Sequence, residues 1–117
     1  QANILAGLTV GIIALPLLPL LIVLAAESAS GIALGIRVES CGPGRADLTM
    51  TVRGDMLNGH AICHGGFIFT LADSAFAYAC NSYNLNTVAS GCAIEFTAPA
   101  RAGDAIAGAP PCTVTTT

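Results

Sequence analysis

Residues 58–80, "NGHAICHGGFIFTLADSAFAYAC", gather the groups best suited to chemistry. Asn58 and His64 lead into the pair Gly65 and Gly66, and a single acid, Asp73, follows among Phe, Ile, Leu and Ala. The helical spacing of Ile68, Leu71, Ala72, Ala75 and Ala79 predicts a helix over 65–80, which puts the glycine pair at its start. The first N–H groups of a helix have no partner within it, and with the helix dipole they attract negative charge. Glycine there admits a substrate oxygen with no Cβ in the way. Such a site suits the oxyanion that forms when a nucleophile attacks an ester or thioester carbonyl. The same pair also fits close packing of the helix start against a strand, and two glycines alone do not separate these readings.

Asp73 lies two helical turns beyond Gly66, roughly 10 Å along the same face. That is too far for both to serve one small reacting centre within one chain. If they cooperate, the acid comes from a second copy. An antiparallel helix pair about a two-fold axis would set Asp73 of one chain near Gly65 of the other, in a C2 dimer. A partly buried Asp could act there as general base on water or as nucleophile. The alternative is an ordinary surface acid, which the apolar neighbours Ala72, Ala75 and Phe76 disfavour. His64 has no acid beside it to build a triad, which favours a positioning role. His60, Cys63 and His64 lack a second ligand pair at metal spacing.

The elements that must position these groups are legible as patterns. "GIALGIRVES" reads as a strand leading into the turn Cys41-Gly42-Pro43-Gly44. "ADLTMTVRG" alternates, with Leu48, Met50 and Val52 on one face, so the two form a hairpin. Residues 56–63 form a loop, an asparagine-rich stretch ends the helix, "GCAIEFTA" alternates as another strand, and residues 104–109 begin a weaker one. One apolar helix between antiparallel strand pairs implies an α+β layer with the sheet wrapped on the helix.

With 117 residues the chain is sized for one domain. Apolar residues make up 54% and charged residues 9%, far from ordinary globular usage, so lipid or a partner chain must cover part of the surface. The four basic residues are Arg37, Arg45, Arg53 and Arg101, and a net charge of −3 without a basic cluster argues against nucleic acid as a partner. Five cysteines without a CxxC pair read as free thiols in a reducing compartment, not as a disulfide framework. Residues 1–26 carry no charge and are long enough to span a bilayer, which needs ~20 apolar residues. They are expected to form a transmembrane or buried helix, set apart from a domain over 27–117.

"DMLNGHAICHGGFIFTLADSAFAYACNS", flanked by "LGIRVESCGPGRADLTMTVRG" and "VASGCAIEFTAPARAGDAI", closely resembles PaaI-type hotdog-fold thioesterases of phenylacetic acid degradation. The resemblance runs over about residues 28–106, with HGG-x6-D as its specific core. It implies the hotdog fold, a central helix wrapped by an antiparallel sheet, assembled as homodimers or homotetramers in the cytoplasm. It implies hydrolysis of acyl-CoA thioesters such as phenylacetyl-CoA or hydroxyphenylacetyl-CoA. Carried over by position, Gly65 offers its N–H to the thioester carbonyl, His64 positions the loop and substrate, Asn58 orients water or the thioester, and Asp73 of the opposite subunit is base or nucleophile. No metal or redox cofactor is implied, since coenzyme A is part of the substrate, and Arg101 is a candidate for its phosphates.

Against that pattern the chain ends in "AGAPPCTVTTT" before the long strands that complete the family sheet, and residues 1–26 do not resemble the family's N-terminal helix. The expectation is therefore an incomplete sheet, with membrane association possible through residues 1–26. Two other readings remain. Asp55 and His60 have the separation used by hotdog enoyl-CoA hydratases, though without the proline and asparagine order of their motif. The third is a non-catalytic, truncated or membrane-associated fragment.

Overall fold

The structure is a computed structural model that describes residues 29, 31–85 and 87–108. The expected apolar helix within residues 1–26 and the tail beyond 108 lie outside the described residues. Among the described residues, no helix is long and apolar enough to cross a membrane.

The architecture is one long helix laid on a three-stranded antiparallel sheet. In chain order come β1 (Arg37–Gly42), β2 (Arg45–Thr51), a 3-10 turn (Gly54–Met56), α1 (Gly65–Asn81) and β3 (Ala105–Gly108). The sheet order is β1-β2-β3. Val38 stands opposite Leu48 in the hairpin, and Met50 opposite Ile106 in the second pair. Beyond the end of β2 the ladder continues through Val52, whose N–H donates to Asp104 O at 2.9 Å while Gly103 N–H donates back to Val52 O at 2.8 Å.

Alternation along β2 decides the core. Ala46, Leu48, Met50 and Val52 are buried, and Leu71, Ala75 and Ala79 of α1 close over them. Each large apolar side chain removed from water in this way contributes about 1.5–3 kcal/mol. Small alanines on the buried helix face let the helix lie close on β2, against which it makes most of its contacts.

The structure corrects three sequence expectations. Residues 31–34 are helical, and the strand starts only at Arg37. Gly35, at φ +71°, ends that helical turn. Ile36 N–H donates to Gly31 O and Gly35 N–H to Ile32 O, the paired bonds of a Schellman ending. Second, no strand forms at 92–97, and residues 91–99 are exposed throughout. Their alternation suits a half-buried face, but a strand also needs a neighbour for its N–H and C=O groups, and the described sheet ends at β3. Third, Cys41, Cys63 and Cys92 are free thiols, but Cys80 is disulfide-bonded. Among the described residues Cys80 alone is bridged, and one such cysteine leaves no spacing pattern in the sequence.

The segment carrying residues 92–97 is fixed at both ends. At one end the buried Asn81 side chain accepts from Thr87 N–H at 3.1 Å and donates to Thr87 O at 3.0 Å. At the other, Cys63 N–H donates to Ala100 O at 2.8 Å. The chain is thereby brought back from the end of α1 to its beginning.

Candidate active site

The start of α1 is held by the loop before it. His64 N–H donates to Met56 O at 2.8 Å, and Met56 is fully buried, so the loop is pinned to the core just ahead of the helix. His64 is the N-cap, with extended backbone at φ −63°, ψ 131°. Its Nδ1 accepts from Gly66 N–H at 3.1 Å, and its carbonyl accepts from Phe67 N–H at 2.9 Å. The imidazole also meets the Phe67 ring edge-on, with centroids 6.4 Å apart. Two opening N–H groups of the helix are thus taken by His64. That of Gly65 has no acceptor among the described residues.

Asn58 shapes the same loop. Its Oδ1 accepts from His60 N–H at 2.9 Å and Ile62 N–H at 3.4 Å, and its backbone N–H donates to Ile62 O at 2.8 Å. Two backbone donors occupy the side-chain oxygen, which leaves the carboxamide NH2 as the polar group Asn58 can offer. Leu57 and Cys63 bridge across the base of the loop.

Asn58 and Gly65 line one cavity of about 460 Å³ with Ile62, Cys63, Ile68 and Phe96. Burial pushes the Cys63 thiol above its ordinary value, so it stays neutral and is a poor nucleophile. A methyl group placed on Gly65 would lie 2.9 Å from Phe96 Cζ. Gly65 is thus closely packed, but against the ring of Phe96 in a segment without strand pairing and not against a strand. Sequence reasoning missed this contact, because the alternation of residues 92–97 shows which side chains share a face and not what that face meets.

Asp73 stands elsewhere. It lines a second cavity, of about 260 Å³, with Phe69, Ala72, Phe76 and residues 91–94. In the single chain it is exposed, not partly buried, and it is neither hydrogen-bonded nor ion-paired among the described residues. The fold thus brings Asn58 and Gly65 to one cavity, places His64 at the helix start beside them, and leaves Asp73 two turns away. Asp55 is committed to Arg53, with Nε to Oδ1 at 2.9 Å and Nη2 to Oδ2 at 3.0 Å. That fork occupies the carboxylate which the hydratase reading would pair with His60. Among the described residues no three metal-ligating side chains gather.

A sequence profile of the thioesterase superfamily matches residues 60–111. Acyl-coenzyme A thioesterase PaaI of Escherichia coli K12 is 58% identical over 74 residues, covering 63% of this chain and 53% of that protein. The chain therefore spans about half the length of that relative. The solved structure of the E. coli PaaI protein from the phenylacetic acid degradation operon superposes with a TM-score of 0.69 at 52% identity, covering 73% of this chain and 65% of that one. A variant of phenylacetic acid degradation protein PaaI from Thermus thermophilus superposes with a TM-score of 0.67 at 38% identity, covering 69% of this chain and 70% of that one.

Proposed function

The chain belongs to the thioesterase superfamily, and from that premise we propose that it hydrolyses acyl-CoA thioesters, with arylacyl groups such as phenylacetyl or hydroxyphenylacetyl, to the free acid and coenzyme A. The name and operon of the E. coli relative support that substrate class. The observation that carries the reading is the Gly65 N–H. It is the one opening amide of α1 for which no acceptor stands among the described residues, and Gly65 lines a largely apolar cavity with Asn58.

In the proposed reaction the thioester carbonyl oxygen accepts from Gly65 N–H, with the helix dipole favouring the charge that develops. His64 holds the neighbouring amide and fixes the angle of the helix start. The Asn58 NH2 is a second donor, to the carbonyl or to the oxygen of the attacking water. Asp73 of a second copy either takes a proton from that water or attacks the carbonyl itself. Where water attacks, the tetrahedral intermediate collapses with cleavage of the C–S bond to the free acid, and the proton taken by Asp73 passes to the sulfur, which leaves as the coenzyme A thiol. Where Asp73 attacks, the same collapse leaves a mixed anhydride on Asp73 and a thiolate that takes its proton from solvent, and water then hydrolyses the anhydride to the free acid and frees Asp73.

Two copies are needed because one helix separates its own Gly66 and Asp73 by roughly 10 Å. An isologous C2 pair, as homodimer or within a homotetramer, supplies the acid twice, once to each site. Release of free thiol from phenylacetyl-CoA tests the activity, and absence of release by the folded chain contradicts it.

A further inference from the structure

Phe96 sits where the side chain of Gly65 would be. Beyond the 2.9 Å approach of Cζ, Cε1 and Cε2 lie 3.2 and 3.3 Å from a methyl placed on Gly65, closer than nearly all real Cβ contacts come. The ring therefore rests directly on the backbone whose amide is the candidate oxyanion donor. It is 55% exposed, so much of its surface stays open beside the cavity it lines with Asn58, Ile62 and Ile68. Its position is not set by a sheet ladder. It follows from the two ends of the returning segment, the Asn81–Thr87 clamp and the bond from Cys63 N–H to Ala100 O.

A carbonyl oxygen bound at Gly65 N–H has its acyl substituent two bonds away, and the ring of a phenylacetyl group three. We propose that Phe96 is a specificity-determining residue: its ring, seated on Gly65, is the wall on which the acyl group packs, and it favours aromatic acyl groups over short aliphatic ones. This rests on the thioesterase reading above. An aryl group meeting the ring edge-on or offset gains more than area burial alone, enough for about a two- to tenfold preference. A short aliphatic group has no ring to present and forgoes that gain.

The test compares kcat/KM for phenylacetyl-CoA and butyryl-CoA in the wild type, Phe96→Ala, Phe96→Leu and Phe96→Tyr. The ratio of the two values is insensitive to the fraction of folded protein, so a merely structural role for Phe96 leaves it unchanged. The expected result is a fall of about two- to tenfold in the phenylacetyl-to-butyryl ratio for Phe96→Ala and Phe96→Leu, with Phe96→Tyr near wild type. An unchanged ratio in Phe96→Leu, in a series whose wild type hydrolyses both esters, overturns the inference even where Phe96→Ala fails to fold. A folded wild type that cleaves neither ester overturns the proposed function, and this inference with it.

Discussion

The imidazole of His64 accepts, through Nδ1, the backbone N–H of Gly66 two residues on, at 3.1 Å. A side-chain acceptor at this position is an N-cap, and removing one typically costs ~1 kcal/mol. His64→Ala is expected to lower the melting temperature by several degrees and also to reduce kcat/KM, because the helix start that presents Gly65 loses its brace. His64→Asn keeps a capping acceptor and should restore most of the stability. Thermal melts of the three proteins check this, and an Ala variant as stable as wild type would contradict the capping role.

Asp73→Asn separates catalysis from folding. The side chain is exposed and bonded to nothing among the described residues, so its loss as an acid should change stability by no more than about 0.5 kcal/mol. If it is the base or nucleophile, thiol release from phenylacetyl-CoA falls by about 10²–10⁴-fold. Near-wild-type turnover in the variant removes Asp73 from the mechanism.

These two residues also mark what a sequence can carry. Helix periodicity and the alternation of β2 are local, and they placed α1 from Gly65 and the buried set Leu48, Met50 and Val52 as observed, whereas the His64 cap shows only in the structure. The two-turn gap between Gly66 and Asp73 is helix arithmetic, so the need for a second chain, if the two cooperate, was legible too. What was not legible depends on distant partners. The pattern of residues 92–97 could not reveal that no neighbouring strand takes up its backbone, nor that Phe96 lands on Gly65. The helical turn at 31–34 was hidden because its apolar residues fit a strand equally well, and only Gly35 at positive φ shows where it stops.

Stability at acid pH should register the Arg53–Asp55 fork. Hydrogen bonds from Arg53, followed by its charge, hold the Asp55 carboxyl below its ordinary value of 3.8. A depressed carboxyl contributes stability above the unfolded value and loses it as pH falls through the folded one. The difference in melting temperature between wild type and Asp55→Asn should therefore be constant from neutral pH down to the ordinary aspartate range and shrink below pH 3.8. It should be small throughout and weaken with salt, since both side chains are substantially exposed. A difference that grows on acidification contradicts the assignment.

In the proposed reaction one active site takes Gly65 from one chain and Asp73 from another, and subunit mixing distinguishes this from a site built within one chain. Gly65→Pro deletes the candidate donor N–H at a helix position whose backbone admits proline, after a residue already extended, and its Cβ also pushes the Phe96 ring aside, so the site built on that helix start is disabled on both counts; Asp73→Asn deletes the acid. Each variant alone is expected to be inactive. After unfolding and refolding together in equal amounts, half the dimers are mixed, and each mixed dimer has one site carrying both defects and one carrying neither. Recovery of about a quarter of wild-type thiol release from phenylacetyl-CoA is expected. Mixed dimers that form, yet release no more thiol than either variant alone, would contradict it.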